Sequence, residues 1–267
     1  MALWDRVRGR RRRGDRPRDT GLPPSANGAS SLHLWWEVDV PDPVAEPVVE
    51  VAATLEVLVP PRVPRLYFWA LQAGFSEGRR GHGAGHLGLQ WDGGDPPLRA
   101  VNWGGYRAGA EGGGELDGTA SALPSSRANP NTRDYPWQPQ RPYRLRILRS
   151  PGGPGLWRGE VTDVSSGDGT VVRDLRCAGD RLADPLMWSE VFARCDDPSV
   201  SVRWSDLECV TALGRRVPVT AARADYQRWE EGGCDNTSAG VDDVGWLQRT
   251  NVARQVPPGA RLVPPAG

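Results

Sequence analysis

Carboxylates, imidazoles and amides occur in this chain in three stretches whose spacing could support chemistry. Asp206 and Glu208 stand two residues apart in Trp204-Ser205-Asp206-Leu207-Glu208, and Glu190 lies in Trp188-Ser189-Glu190-Val191-Phe192-Ala193-Arg194-Cys195. Residues i and i+2 of a strand share a face. Paired carboxylates so placed can flank a glycosidic bond. On that reading Glu190 is general acid or nucleophile and Asp206 its partner. The plainer reading is that acidic groups on an outward strand face are only solvated, and no catalytic residue is then assigned.

His82 and His86 are four residues apart. That spacing brings imidazoles onto one metal only when it winds on a helix, as in H-E-x-x-H. The surrounding glycines argue against a helix, so no metal is expected. Gly83-Ala84-Gly85-His86-Leu87-Gly88 matches G-x-G-x-x-G, but a dinucleotide site needs its last glycine to open a helix facing the pyrophosphate. Leu89-Gln90-Trp91 instead continues as strand, so no nucleotide and no other cofactor is implied. A G-x-S-x-G elbow is absent from the sequence, and serine, histidine and aspartate fall in no nucleophilic order.

The faces of alternating strands are more informative. In Leu186–Cys195, Met187, Val191, Ala193 and Cys195 fall on one side, and Trp188, Glu190, Phe192 and Arg194 on the other. In Gly85–Trp91, Leu87, Leu89 and Trp91 oppose His86, Gly88 and Gln90. In Leu98–Trp103, Asn102 opposes Val101 and Trp103. If these strands share a sheet, one face carries His86, Gln90, Asn102, Trp188, Glu190 and Arg194. Aromatic platforms beside amides and a few charges suit the apolar faces and hydroxyls of a sugar, and suit other small ligands as well. A sheet face covered by a loop, its polar groups satisfied internally, is the alternative.

These strands need a scaffold, and composition describes it. The 267 residues include 33 glycines, 25 prolines and 12 tryptophans, with 38% hydrophobic residues. Glycine and proline disfavour helix interiors and supply turns. Alternating or β-branched runs appear at His33–Val40, Val48–Val59, Leu66–Phe75, Gly85–Trp91, Leu98–Trp103, Tyr143–Arg149, Leu156–Asp163, Thr170–Cys177, Leu186–Cys195 and Ser199–Val210. About ten short strands in series predict an all-β, two-sheet antiparallel sandwich. Only Ala221–Trp229 hints at a helix. Residues 107–142 read as one long loop whose Tyr135-Pro136-Trp137 could fold aromatics back over the sheet. The expected organisation is a disordered basic arm at 1–30, one sandwich domain at 31–255 and a flexible proline-rich tail at 256–267.

Charge is formally balanced, with 33 basic and 33 acidic residues, but the first twenty residues hold eight arginines and three aspartates. Such an arm can meet nucleic acid or an anionic surface by charge alone. A solvated tail is the preferred reading, with no specific nucleic-acid partner. No apolar core of an export signal follows the basic start, and no apolar run approaches a membrane span. A cytoplasmic protein is therefore expected. Cys177, Cys195, Cys209 and Cys234 fit that compartment as buried free thiols. A Cys195–Cys209 or Cys195–Cys234 link is the alternative for an exported chain.

The segments Tyr67-Phe68-Trp69-Ala70-Leu71, Gly85–Trp91, Val101-Asn102-Trp103-Gly104-Gly105-Tyr106, Trp188–Cys195 and Gly233-Cys234-Asp235-Asn236-Thr237 resemble a domain-of-unknown-function family of high-GC bacteria. The resemblance covers roughly residues 33–255. It implies a concanavalin-A-like jelly-roll sandwich, a fold often extracellular and linked to carbohydrate, and it carries no catalytic residues across. The E-x-D-x-x-E signature of sandwich glucanases is missing from the sequence. The expectation is a non-catalytic carbohydrate- or small-molecule-binding β-sandwich. A glycoside hydrolase or polysaccharide lyase on the same face is the alternative, and a structural or interaction protein the second. Nothing in the pattern specifies an oligomeric state.

Overall fold

A computed structural model describes residues 18–40, 42–93, 97–109, 113–126 and 129–265. Strands are numbered in chain order. One sheet runs β16 (Arg261–Leu262), β13 (Ala222–Tyr226), β1 (Ser30–Trp36), β10 (Arg181–Val191), β3 (Tyr67–Glu77), β4 (Arg80–Asp92), β5 (Leu98–Arg107) and β6 (Thr132–Asp134). The other runs β14 (Ser238–Val241), β15 (Trp246–Arg249), β11 (Ser201–Thr211), β2 (Val48–Val59), β7 (Pro142–Arg149), β8 (Leu156–Asp163) and β9 (Gly169–Arg176), with β12 (Arg216–Pro218) paired to β11. Neighbouring strands are antiparallel throughout. The chain is a two-sheet antiparallel β-sandwich.

Alternation builds the core between the sheets. Leu32 and Leu34 of β1, Trp69 and Leu71 of β3, Leu87 and Leu89 of β4, and Val101 and Trp103 of β5 point inward. They meet Val51 and Leu55 of β2, Leu145 and Ile147 of β7, and Trp157 and Val161 of β8. Trp91 is only half-buried, packed beside Trp137 with the Arg99 guanidinium 5.7 Å from each ring. Trp137 is buried and donates its indole N–H to the Gln90 carbonyl at 3.0 Å. The long loop thus returns an aromatic to the core and lends β6 to the sheet edge.

The glycine-rich motif of β4 is continuous strand, as expected. Its glycines answer to packing. A Cβ at Gly85 would collide with the Phe75 and Trp103 rings, and one at Gly88 with the Trp69 carbonyl and Ala70.

On the outer face of the second sheet, arginines lie between carboxylates: Arg146 between Glu50 and Glu160, Arg203 between Glu56 and Asp242, and Arg144 and Arg216 beside Glu208. Such partly exposed pairs add little stability each. They do neutralise the face.

Several expectations are corrected. Ala221–Trp229 is not helical: β13 alternates buried Ala222, Ala224 and Tyr226 with exposed Arg223 and Asp225, a period of two that its short length obscured. The domain extends beyond 31–255. Residues 18–29 are seated on it through Arg18 and Asp235, which exchange two hydrogen bonds, and through the Cys195 N–H given to the Gly21 carbonyl. At the other end β16 pairs with β13. Residues 1–17 of the basic arm lie outside the described residues.

Cys195 and Cys234 form a disulfide, while Cys177 and Cys209 are free and buried. Four free thiols were expected, because sequence spacing does not reveal that the end of β10 meets the 234 loop. Disulfides persist in oxidising compartments, so the cysteines no longer argue for the cytoplasm. No helix among the described residues is long and apolar enough to cross a membrane.

Candidate functional site

The first sheet turns its other face away from the core, and there the strands place their alternate residues in rows. One row runs Ser31, Glu190, Phe68, Gln90 and Ala100 across β1, β10, β3, β4 and β5. The next runs His33, Trp188, Ala70, Gly88 and Asn102. The third runs Trp35, Leu186, Gln72, His86 and Gly104. In the middle row the two central residues, Ala70 and Gly88, are small, and larger groups stand on all sides of them. Ala70 and Gly88 are themselves buried, and residues around them, among them Phe68, Gln72, His86, Asn102, Trp188 and Glu190, line a cleft of about 630 Å³.

An aromatic cluster forms one part of the wall. Trp188 meets Phe68 edge to face with ring centroids 4.8 Å apart, and His86 lies 5.7 Å from Phe68, 5.8 Å from Trp188 and 6.0 Å from Tyr106. Perpendicular packing of this kind is favourable for quadrupolar rings. The Trp188 indole N–H donates to Gln72 Oε1 at 3.0 Å, which fixes the ring's orientation. Burial among these rings lowers the His86 pKa to about 4, because the charged imidazolium loses its hydration there. His33 is lowered by burial as well, with Asp225 acting against the shift.

Amides line the opposite wall. Asn102 Nδ2 donates to Thr132 Oγ1 at 2.8 Å, and Thr132 Oγ1 donates to Gln90 Oε1 at 3.2 Å. The three residues are buried, and Asn102 Oδ1 has no hydrogen-bond partner. A buried acceptor left unpaired costs about 1–3 kcal/mol, and in a cleft it is an acceptor for a ligand N–H or O–H.

Among the described residues, Glu190 and Glu115 are the carboxylates that line the cleft. Glu190 Oε1 accepts from Asn27 Nδ2 at 2.6 Å. Burial raises its pKa, opposed by that hydrogen bond. Glu115 is exposed at the rim and accepts from Asn131 Nδ2 at 3.1 Å.

His86, Gln90, Asn102, Trp188 and Glu190 all line this cleft. Arg194 does not. β10 ends at Val191, and beyond it the Arg194 side chain turns to Asp196 at 2.9 Å in an exposed pair. The Glu190–Asp206 pairing also fails, because Glu190 belongs to the first sheet and Asp206 to β11 of the second. Asp206 has φ +51° at a bulge between Ser205 and Glu208, which breaks the i, i+2 alternation that the pairing assumed. His82 sits apart from His86, 3.7 Å from exposed Glu77. Among the described residues no group of three or more His, Cys, Asp or Glu is gathered for a metal.

The sequence reading missed Gln72, Phe68, Tyr106, His33, Asn27, Glu115 and Asn131. Gln72 had a signal: it is the one amide in the run Tyr67–Phe75, on the face opposite Tyr67, Trp69 and Leu71. Asn27, Glu115 and Asn131 come from loops, where no period points to a face.

No family model matches the chain, and no curated protein sequence does. Among solved structures the chain is similar to a Scytalido-glutamic peptidase, seen with a peptide-based transition-state analogue, at 9% identity and a TM-score of 0.45 over 84% of this chain and 98% of that one. It is similar also to SCP-B, a member of the eqolisin family of peptidases in complex with the tripeptide Ala-Ile-His. That match has 8% identity and a TM-score of 0.45, covering 87% of this chain and 100% of the other.

Proposed function

We propose that this protein is a ligand-binding β-sandwich that receives a saccharide or a comparable polar ring in the cleft of its first sheet. The observation that carries the reading is the cleft's lining, where the Trp188, Phe68 and His86 rings meet the amides of Gln90 and Asn102. An aromatic face at one end and an unpaired buried carbonyl at the other offer both halves of sugar recognition. The cleft volume of about 630 Å³ falls in the range of small-ligand sites.

A hydrolase or lyase built on the Glu190–Asp206 pair loses Asp206, which lies on the other sheet. The Cys195–Cys234 bridge fits a protein that works in an oxidising compartment.

Glycan-array screening followed by calorimetry tests the reading. Wild type is expected to bind a saccharide and Trp188→Ala to lose it. Absence of binding to neutral, amino and acidic saccharides alike overturns it.

A further inference from the structure

The charge of the cleft is unusual for this chain. The sequence holds 33 arginines and no lysine. Yet among the described residues those lining the cleft include Glu190 and Glu115 and no arginine. Arg173 comes near through Asn131, but its guanidinium is buried and turned to the Asn131 carbonyl and the Trp103 backbone carbonyl. Arg194 faces Asp196 outside the cleft. The two imidazoles there, His33 and His86, are held toward the neutral form by burial.

The free hydrogen-bonding capacity agrees in sign. Asn102 is 6% exposed and its Oδ1 is unpartnered, so the amide wall of the cleft holds an unpaired acceptor. Gln72 Oε1, Gln90 Oε1 and one Glu190 oxygen are acceptors already engaged by protein donors. A ligand rich in N–H donors and carrying positive charge meets this surface. An anionic one meets two carboxylates and, among the described lining residues, no arginine.

We propose that the cleft selects amino-bearing saccharides, taking the protonated amine of a hexosamine unit toward Glu190 while the ring lies among the aromatic and amide side chains that line it. This inference rests on the saccharide-binding reading and adds charge selectivity to it. Glu115 at the rim contributes attraction that salt screens, and Glu190, half-buried, contributes attraction that salt screens less.

Calorimetry of the full chain separates the two claims. The probes are a glucosamine tetramer at a pH where its amines are charged, the N-acetylated tetramer and a galacturonic acid tetramer. The glucosamine tetramer is expected to bind about tenfold more tightly than the acetylated one, a difference of about 1.4 kcal/mol, and the acidic tetramer not to bind. Glu190→Gln, whose amide oxygen can still accept from Asn27, is expected to bring the two glucosamine-based tetramers to equal affinity. Glu115→Gln lowers the preference by a smaller factor. Equal affinity for the two glucosamine-based tetramers overturns the inference and leaves the saccharide reading standing, as does a preference unmoved by both substitutions. Spermidine binding as tightly as the amino tetramer overturns it too, since charge alone would then account for the affinity. Failure of all three saccharides to bind overturns both claims.

Discussion

Trp188 and Gln72 hold each other across the β10–β3 pair, the indole N–H donating to Gln72 Oε1 at 3.0 Å. Trp188 is 8% exposed and packs on Phe68, Ala70 and Leu186 as a small apolar cluster separate from the main core. Its position on the cleft wall is set by that hydrogen bond together with ring contacts to Phe68 and His86.

Gln72→Ala removes the acceptor and leaves the indole N–H without its partner. A cost of about 1–3 kcal/mol is expected, read as a lower denaturation midpoint, together with weaker saccharide binding because the ring is free to turn. Binding unchanged from wild type would show that the ring's orientation is not what the ligand reads.

Asn102→Ala separates recognition from stability. It deletes one neutral hydrogen bond to Thr132, a loss of about 1 kcal/mol, and it also deletes the unpaired Oδ1. Calorimetry is expected to show about a tenfold loss of saccharide affinity, while thermal unfolding shifts only slightly. A large fall in stability with affinity preserved would assign Asn102 to the scaffold alone.

The Cys195–Cys234 bridge closes 39 residues of chain and lies where segment 18–29 is seated. Replacing both cysteines by serine is expected to cost about 2–4 kcal/mol. Segment 18–29, which carries Asn27 to Glu190, should exchange its amide hydrogens faster. Thiol titration of the unreduced, denatured chain should find Cys177 and Cys209 alone. Both are slow to alkylate in the folded state, because burial raises their pKa, that of Cys209 to about 12. Four reactive thiols would contradict the bridge.

Acid should weaken the fold through His86. Its folded pKa of about 4 lies below the ordinary 6.5, so the unfolded chain binds the proton more readily. The stability it contributes is complete above pH 6.5 and is lost as pH falls from 6.5 toward 4. Glu190 acts in the opposite sense: its pKa is raised above 4.5, so its contribution is present below 4.5 and lost as pH rises through the folded value. His86→Phe should flatten the decline between pH 6.5 and 4 in thermal melts, and Glu190→Gln should gain stability at neutral pH. A decline as steep in His86→Phe as in wild type would place the acid sensitivity elsewhere, His33 being the next group to test.

Much of this molecule is legible one strand at a time. The period of two in Gly85–Trp91, Leu98–Trp103 and Leu186–Cys195 separates Leu87, Leu89, Val101 and Met187, which are buried, from His86, Gln90, Asn102, Trp188 and Glu190, which line the cleft. It does so because successive side chains of any strand point to opposite faces. The sandwich follows from the same alternation repeated along a chain rich in turn residues. Alternation is a property of one strand, however, and the cleft is a property of several. Only register brings Trp188, His86, Gln90 and Asn102 from three strands around one cleft. Only the partition of strands between sheets parts Glu190 from Asp206. Only the path of the loops brings Asn27 to Glu190, Glu115 to the rim and Cys234 to Cys195. Each of these contacts joins residues far apart in the chain, where no local preference of backbone or side chain reaches, and the packing of the two sheets decides them.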